Sequence, residues 1–322
     1  MTKQPVQRFF AEYKGLRAAV LENDILKVVV LPGRGGKTAS ILHKPKGFEL
    51  LAQPKGEYPP ISSGMDFSKG DASGFDDAFP SIDGETVMLD GKAILYPDHG
   101  EIWTMPMEAA LGEDSILLVG ESTILPYWYQ KKIRLDGDRV CYQYTITHTD
   151  GASFPCLWAC HGLLRYEPDM RLSYPNGMAF AQNVLYGPEL GEIGNLHPLA
   201  GGAYDFFAVP PKESGTMVKY YLQGRCPVGR CGVFYPAQGV ACEMEFDHVK
   251  LPYLGFWLTA GGYRGEYNCA FEPATGFYDG ISRAAESGTA VILSPGQTLS
   301  FSLSYRLFDV SIHEAQNFTE GQ

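Results

Sequence analysis

Apolar and polar residues alternate with a period of two along most of this chain. The segments 26–31, 115–119, 140–147, 217–222 and 299–305 either alternate strictly or form short β-branched runs, the patterns of half-buried and fully buried strands. Between such segments stand Pro32-Gly33, Asp83-Gly84, Asp90-Gly91, Asp136-Gly137, Asp150-Gly151, Asn176-Gly177 and Pro295-Gly296, dipeptides that reverse the backbone. The longest stretch compatible with a helix, Val310 to Glu320, is terminal and weakly amphipathic. Many short strands with frequent turns predict an all-β sandwich or barrel with loops projecting from its faces. No linker, low-complexity run or repeat divides the chain, so residues 1–322 are expected to form a single β-sandwich domain. Two long segments rich in Gly, Pro, Ser and Asp, Pro54 to Gly74 and Tyr186 to Tyr204, are the expected site-forming loops.

Composition sharpens this picture in three ways. Hydrophobic content of 45%, with 37 glycines and 22 prolines, describes a packed, turn-rich globular protein. A formal charge of −11 without an extended basic run argues against a nucleic-acid partner. The chain opens without the order of a signal peptide, and no window offers the ~18 to 20 apolar residues that span a bilayer; a cytoplasmic protein with no membrane partner is expected. The seven cysteines are odd in number and irregularly spaced, and free buried thiols are expected rather than a disulfide framework.

One segment invites a nucleotide reading and fails it. Leu31-Pro32-Gly33-Arg34-Gly35-Gly36-Lys37-Thr38 ends like a phosphate loop, but Leu31 stands where the first glycine is needed and no helix can follow. A tight hairpin is expected there, leaving Arg34 free to reach a ligand. Two histidines occupy similar settings, Pro97-Asp98-His99-Gly100-Glu101 and Trp158-Ala159-Cys160-His161-Gly162. His99 reads as a loop residue beside Asp98, His161 as the end of an apolar strand, each of which a satisfied structural histidine also explains. Glu272, in Phe271-Glu272-Pro273, closes an apolar strand, where partial burial would raise its pKa and improve it as a base. His99, Glu101 and His161 fall a nitrogen short of an ordinary zinc set, and no metal is expected. Trp103, Trp158, Trp257, Tyr166 and Tyr263 could stack on sugar rings or pack in the core.

Taken in order, Leu31-Pro32-Gly33-Arg34-Gly35-Gly36, Gly74-Phe75-Asp76-Asp77-Ala78-Phe79-Pro80, Pro97-Asp98-His99-Gly100-Glu101, Leu157-Trp158-Ala159-Cys160-His161, Ala270-Phe271-Glu272-Pro273 and Pro295-Gly296-Gln297 resemble the aldose 1-epimerase family, the galactose mutarotase-like sugar epimerases. The resemblance spans nearly the whole chain. It implies a large antiparallel β-supersandwich and an isomerase that interconverts the anomers of an aldose without a cofactor. By matching motifs it implies His161 as the acid at the ring oxygen, Glu272 as the base at the anomeric hydroxyl and His99 as a sugar-holding residue. Cys160-His161-Gly162-Leu163-Leu164-Arg165 departs from the galactose-specific pattern around the acid, as a divergent branch would. In such a branch Arg34, Asp77, Arg165 and Trp257 would define the sugar or an anion on it. The expected partner is thus a small-molecule sugar. Two other functions compete: a silent carbohydrate-binding protein, and a glycoside-cleaving enzyme pairing Glu272 with Asp76 or Asp77.

Overall fold

The computed structural model describes residues 5–310. Strands occupy the alternating segments: Leu26–Leu31, Ser115–Glu121, Arg139–His148, Thr216–Leu222 and Thr298–Asp309. The terminal helix expected from Val310 onward lies outside the described residues except for Val310 itself. Among those residues the one α-helix is the short Ile281–Glu286. Its sequence lacks the length to register as an amphipathic pattern.

Two large antiparallel sheets dominate, one of thirteen strands and one of eight among the described residues. Their facing surfaces enclose an aromatic core in which Tyr129, Tyr142, Tyr144, Trp158 and Tyr305 are buried. Trp158 donates its indole N–H to Tyr129 Oη at 2.8 Å and packs on Phe301 at a centroid distance of 4.5 Å, so its apparent freedom to stack on a ligand is spent in the core. The seven cysteines are unpaired, six of them buried.

The larger sheet positions the site. Its middle runs through six neighbouring strands in the order Lys37–His43, Phe75–Ala78, Ala159–Gly162, Tyr267–Ala274, Tyr253–Ala260 and Thr216–Leu222. All are antiparallel to their neighbours. Because side chains alternate between faces, Phe271 on one strand and Phe256 and Tyr220 on others point into the sandwich, whereas Glu272, Trp257 and Lys219 point to the opposite, loop-covered face.

Candidate active site

Register brings the chemistry of distant segments into one row. Asp76 pairs with His161 across the Phe75–Ala78 and Ala159–Gly162 strands. The Ala159↔Ala274 and Leu164↔Cys269 pairings share one register, which sets His161 level with Glu272. Glu272 in turn pairs with Gly255, and Gly255 with Tyr221. A side chain at 255 would obstruct this row: a Cβ there would stand 3.2 Å from Glu272 Oε2 and 3.1 Å from the Tyr221 ring. The glycine leaves room for Lys219, one strand further on, to reach Glu272.

His161 Nε2 lies 3.9 Å from Glu272 Oε1, too far for a hydrogen bond. Neither His161 Nδ1 nor Glu272 Oε1 has a hydrogen-bond partner among the described residues. Glu272 Oε2 has the Lys219 ammonium at 3.1 Å, and the same ammonium lies 3.0 Å from Asp279 Oδ2. Tyr221 donates to the other oxygen of Asp279 at 2.9 Å. Burial pushes the Glu272 carboxyl up, opposed by Lys219 and reinforced by Asp279. Burial pushes His161 well below the ordinary histidine value, with His99, Lys219 and Lys37 adding to the shift. Lys219 is held above its ordinary value because Asp279 and Glu272 outweigh its desolvation.

A cavity of about 480 Å³ opens over this row, with His161 and Lys219 among its lining residues and Glu272 fully buried beside them. His99 enters from a loop. Its backbone is left-handed, φ 58°, a conformation costly for a residue with a Cβ and found preferentially at functional positions. Gly100 follows, also left-handed at φ 70°, and any side chain there would collide with the Phe79 carbonyl. The His99 ring stacks on Phe67 with centroids 3.7 Å apart and meets His161 edge-on at 4.9 Å. Its Nδ1 pairs with Asp98 Oδ1 at 2.9 Å. This hydrogen bond leaves Nε2 as the nitrogen available to a ligand.

The structure thus gathers His99, His161 and Trp257 around one cavity with Glu272 behind it, and it places Arg34, Asp77 and Arg165 elsewhere. Asp77 follows Asp76 on the strand and therefore faces the sandwich interior, where Lys131 Nζ at 3.0 Å and Tyr144 Oη at 3.1 Å hold it. Arg34 is not free. It pairs with Asp71 at 3.3 Å, donates to the Pro59 carbonyl and covers the Tyr58 ring. Together with Lys37, 2.8 Å from Asp71, it fixes the loop that carries Phe67, Ser68 and Ala72 into the cavity. Arg165 is bound to Glu167 at 2.5 Å. Glu101 also turns away from the histidines, accepting from Tyr127 Oη at 2.6 Å and from Ser122. Of the two long loops, the one at 54–74 lines the cavity; the other contributes nothing beyond its preceding residues Val184 and Leu185.

Lys219, Asp279 and Asp83 escaped sequence reasoning. Lys219 had a usable signal, a lone charge inside the apolar run Val218-Lys219-Tyr220-Tyr221-Leu222. Asp83 and Asp279 lacked one, since both sit in turns where aspartate is ordinary.

The two packed antiparallel sheets are those of the galactose mutarotase-like fold, as comparison with solved structures shows. No protein-family model matches the chain, and no curated protein matches it. Solved structures do. A galactose mutarotase-like protein from Lactobacillus casei superposes with a TM-score of 0.70 at 16% identity, covering 90% of this chain and 100% of that one. A proposed aldose 1-epimerase from Klebsiella pneumoniae gives 0.70 at 16% identity over 98% of this chain and 91% of its own. A galactose mutarotase-like protein from Clostridium acetobutylicum gives 0.67 at 13% identity over 95% and 99%. At such identities the likeness establishes the fold. Among the described residues no helix is long and apolar enough to cross a membrane.

Proposed function

We propose that this protein is a mutarotase, an aldose 1-epimerase that opens and recloses a pyranose ring by acid–base catalysis. The observation that carries the reading is the His161–Glu272 pair, level on adjacent strands and 3.9 Å apart, with unpartnered atoms on both sides. In the reaction Glu272 takes the proton of the anomeric hydroxyl, the O1 electron pair forms the carbonyl, and the C1–O5 bond breaks. His161, as the imidazolium, supplies a proton to O5. Rotation about C1–C2 and reversal of both transfers give the other anomer. Contacts of this kind tighten when substrate seats.

The electrostatics favour this exchange. Burial drives His161 down and Glu272 up, so the imidazolium is a stronger acid and the carboxylate a stronger base than the free side chains. His99, fixed by Asp98 and Phe67, holds the sugar. The names of the Lactobacillus, Klebsiella and Clostridium proteins agree with this reading. Against hydrolysis by Glu272 paired with Asp76 or Asp77 stands the order of the row: His161 separates Glu272 from Asp76, which is bound to Lys37 at 2.8 Å, and Asp77 is held by Lys131 on the opposite face, whereas glycoside cleavage requires two carboxyls flanking one bond.

Two-dimensional exchange NMR on a panel of free aldoses tests the proposal. Wild-type protein is expected to accelerate anomer exchange of at least one sugar, and Glu272→Gln to abolish the acceleration while still binding that sugar. Exchange of every aldose at the uncatalysed rate would refute it.

A further inference from the structure

The cavity is chemically two-sided. One side is polar. The His99 amide donates to the Ile82 carbonyl at 2.6 Å, and the amides of Ile82 and Asp83 donate to the Asp279 carbonyl at 3.1 and 3.0 Å. These bonds knit Asp83, Asp98, His99 and Asp279 into one wall beside the catalytic row. Lys219 is the single lysine or arginine among the residues lining the cavity. Its ammonium is already shared by Glu272 and Asp279. An anionic group on a sugar would therefore meet carboxylates and no free cation, a costly arrangement at low dielectric.

The other side is apolar. Two residues along the same strand faces, roughly 7 Å from the catalytic row at the rise of a strand, come Leu163, Ala270, Trp257 and Lys219, the last with its ammonium turned back to Glu272 and Asp279, and Met217 lies two residues further on, opposite Thr259. Tyr263 meets Trp257 edge-on at 5.7 Å, and Val184, whose amide donates to the Lys219 carbonyl at 3.1 Å, and Leu185 also line the cavity. The Trp257 indole N–H is committed to Asn268 Oδ1 at 3.1 Å. Stacking against sugar C–H groups explains the aromatic pair. It does not explain the aliphatic side chains of Leu163, Val184, Leu185 and Met217, which offer no partner to a hydroxyl.

We propose, resting on the mutarotase reading, that the substrate is an uncharged aldose bearing an apolar group, such as a methyl in place of the hydroxymethyl or an acyl in place of the free hydroxyl, at C6, away from the anomeric hydroxyl. The polar wall and the His161–Glu272 pair hold the anomeric end, and the apolar wall receives the substituent.

Matched probes read this directly: D-galactose, 6-deoxy-D-galactose and D-galactose 6-phosphate, with the corresponding gluco and manno series, compared by exchange NMR. The 6-deoxy sugar is expected to exceed its hydroxylated partner by at least roughly 10-fold in kcat/KM in one series or more, and the 6-phosphates to show no acceleration. Met217→Lys, which places a cation in the apolar wall, should erase the preference while the circular-dichroism melting curve remains cooperative. Equal or better turnover of the hydroxylated sugar in every series, or faster exchange of a 6-phosphate, overturns the inference but leaves the mutarotase reading standing. If no sugar exchanges, that reading fails, and saturation-transfer NMR on the same pairs still decides the inference, which falls if 6-deoxy sugars bind no more tightly than their hydroxylated partners.

Discussion

Lys219 reaches Glu272 at 3.1 Å across the gap left by Gly255. The contact joins two strands that are not themselves neighbours, since Tyr253–Ala260 lies between them, and it sets a permanent positive charge beside the proposed base. Without that ammonium, Glu272 and Asp279 would face each other as two carboxylates in a buried setting, where one must take up a proton.

Replacing this lysine is therefore expected to act on both stability and chemistry. Lys219→Met should lower unfolding free energy in urea by ~3–5 kcal/mol, as loss of one partner of a buried ion pair does. The remaining folded protein should show the acid limb of its pH–rate profile moved to higher pH, because the opposing influence on Glu272 has gone. An unchanged acid limb would exclude Lys219 from tuning the base.

The pH profile of the unmodified protein carries its own sign. In the proposed reaction the active form pairs a Glu272 carboxylate with a His161 imidazolium. Rate is lost on the acid side as Glu272 protonates, above its ordinary 4.5, and on the alkaline side as His161 loses its proton, below its ordinary 6.5. A bell-shaped kcat/KM profile is expected by polarimetry, with Glu272 titrating above and His161 below the ordinary values of their side chains. Rates that stay level above pH 7 would transfer the donor role from His161 to Lys219.

His161→Asn and Glu272→Gln should each reduce exchange by roughly 10²-fold or more, with sugar affinity changed far less. The double variant should be little worse than either single one, since the two groups act as a unit. Additive losses in the exchange rate would mean that each residue works independently.

Gly255→Ala tests the geometry of the row with one carbon. The added Cβ meets the Tyr221 ring at 3.1 Å and Glu272 Oε2 at 3.2 Å, so overpacking should cost ~1–3 kcal/mol in a denaturant titration. Exchange should fall at the same time, because the displaced carboxylate is the proposed base.

Asp77 offers a contrasting case. Asp77→Asn leaves Lys131 buried without its counter-charge, and a loss of ~3–5 kcal/mol in stability is expected. KM for any sugar that exchanges should be unaltered in the folded fraction, since Asp77 and the cavity lie on opposite faces of the sheet.

The alternation of residues 26–31, 140–147 and 217–222 determined by itself that these are strands, and the density of such runs determined a β-sandwich, because a period of two is a local property of the backbone. Sequence order also singled out His99, His161 and Glu272. Which polar residues share a site was a different matter. Asp76 and Asp77 are adjacent in sequence, yet the pleat sends one toward His161 and the other to Lys131 in the core. Arg34 looked free because its partner Asp71 lies 37 positions away. Lys219 and Glu272 meet because two strand registers and a glycine between them align. Long-range register and the occupancy of each charge by its counter-ion are set by tertiary packing, and tertiary packing therefore decided the composition of the site.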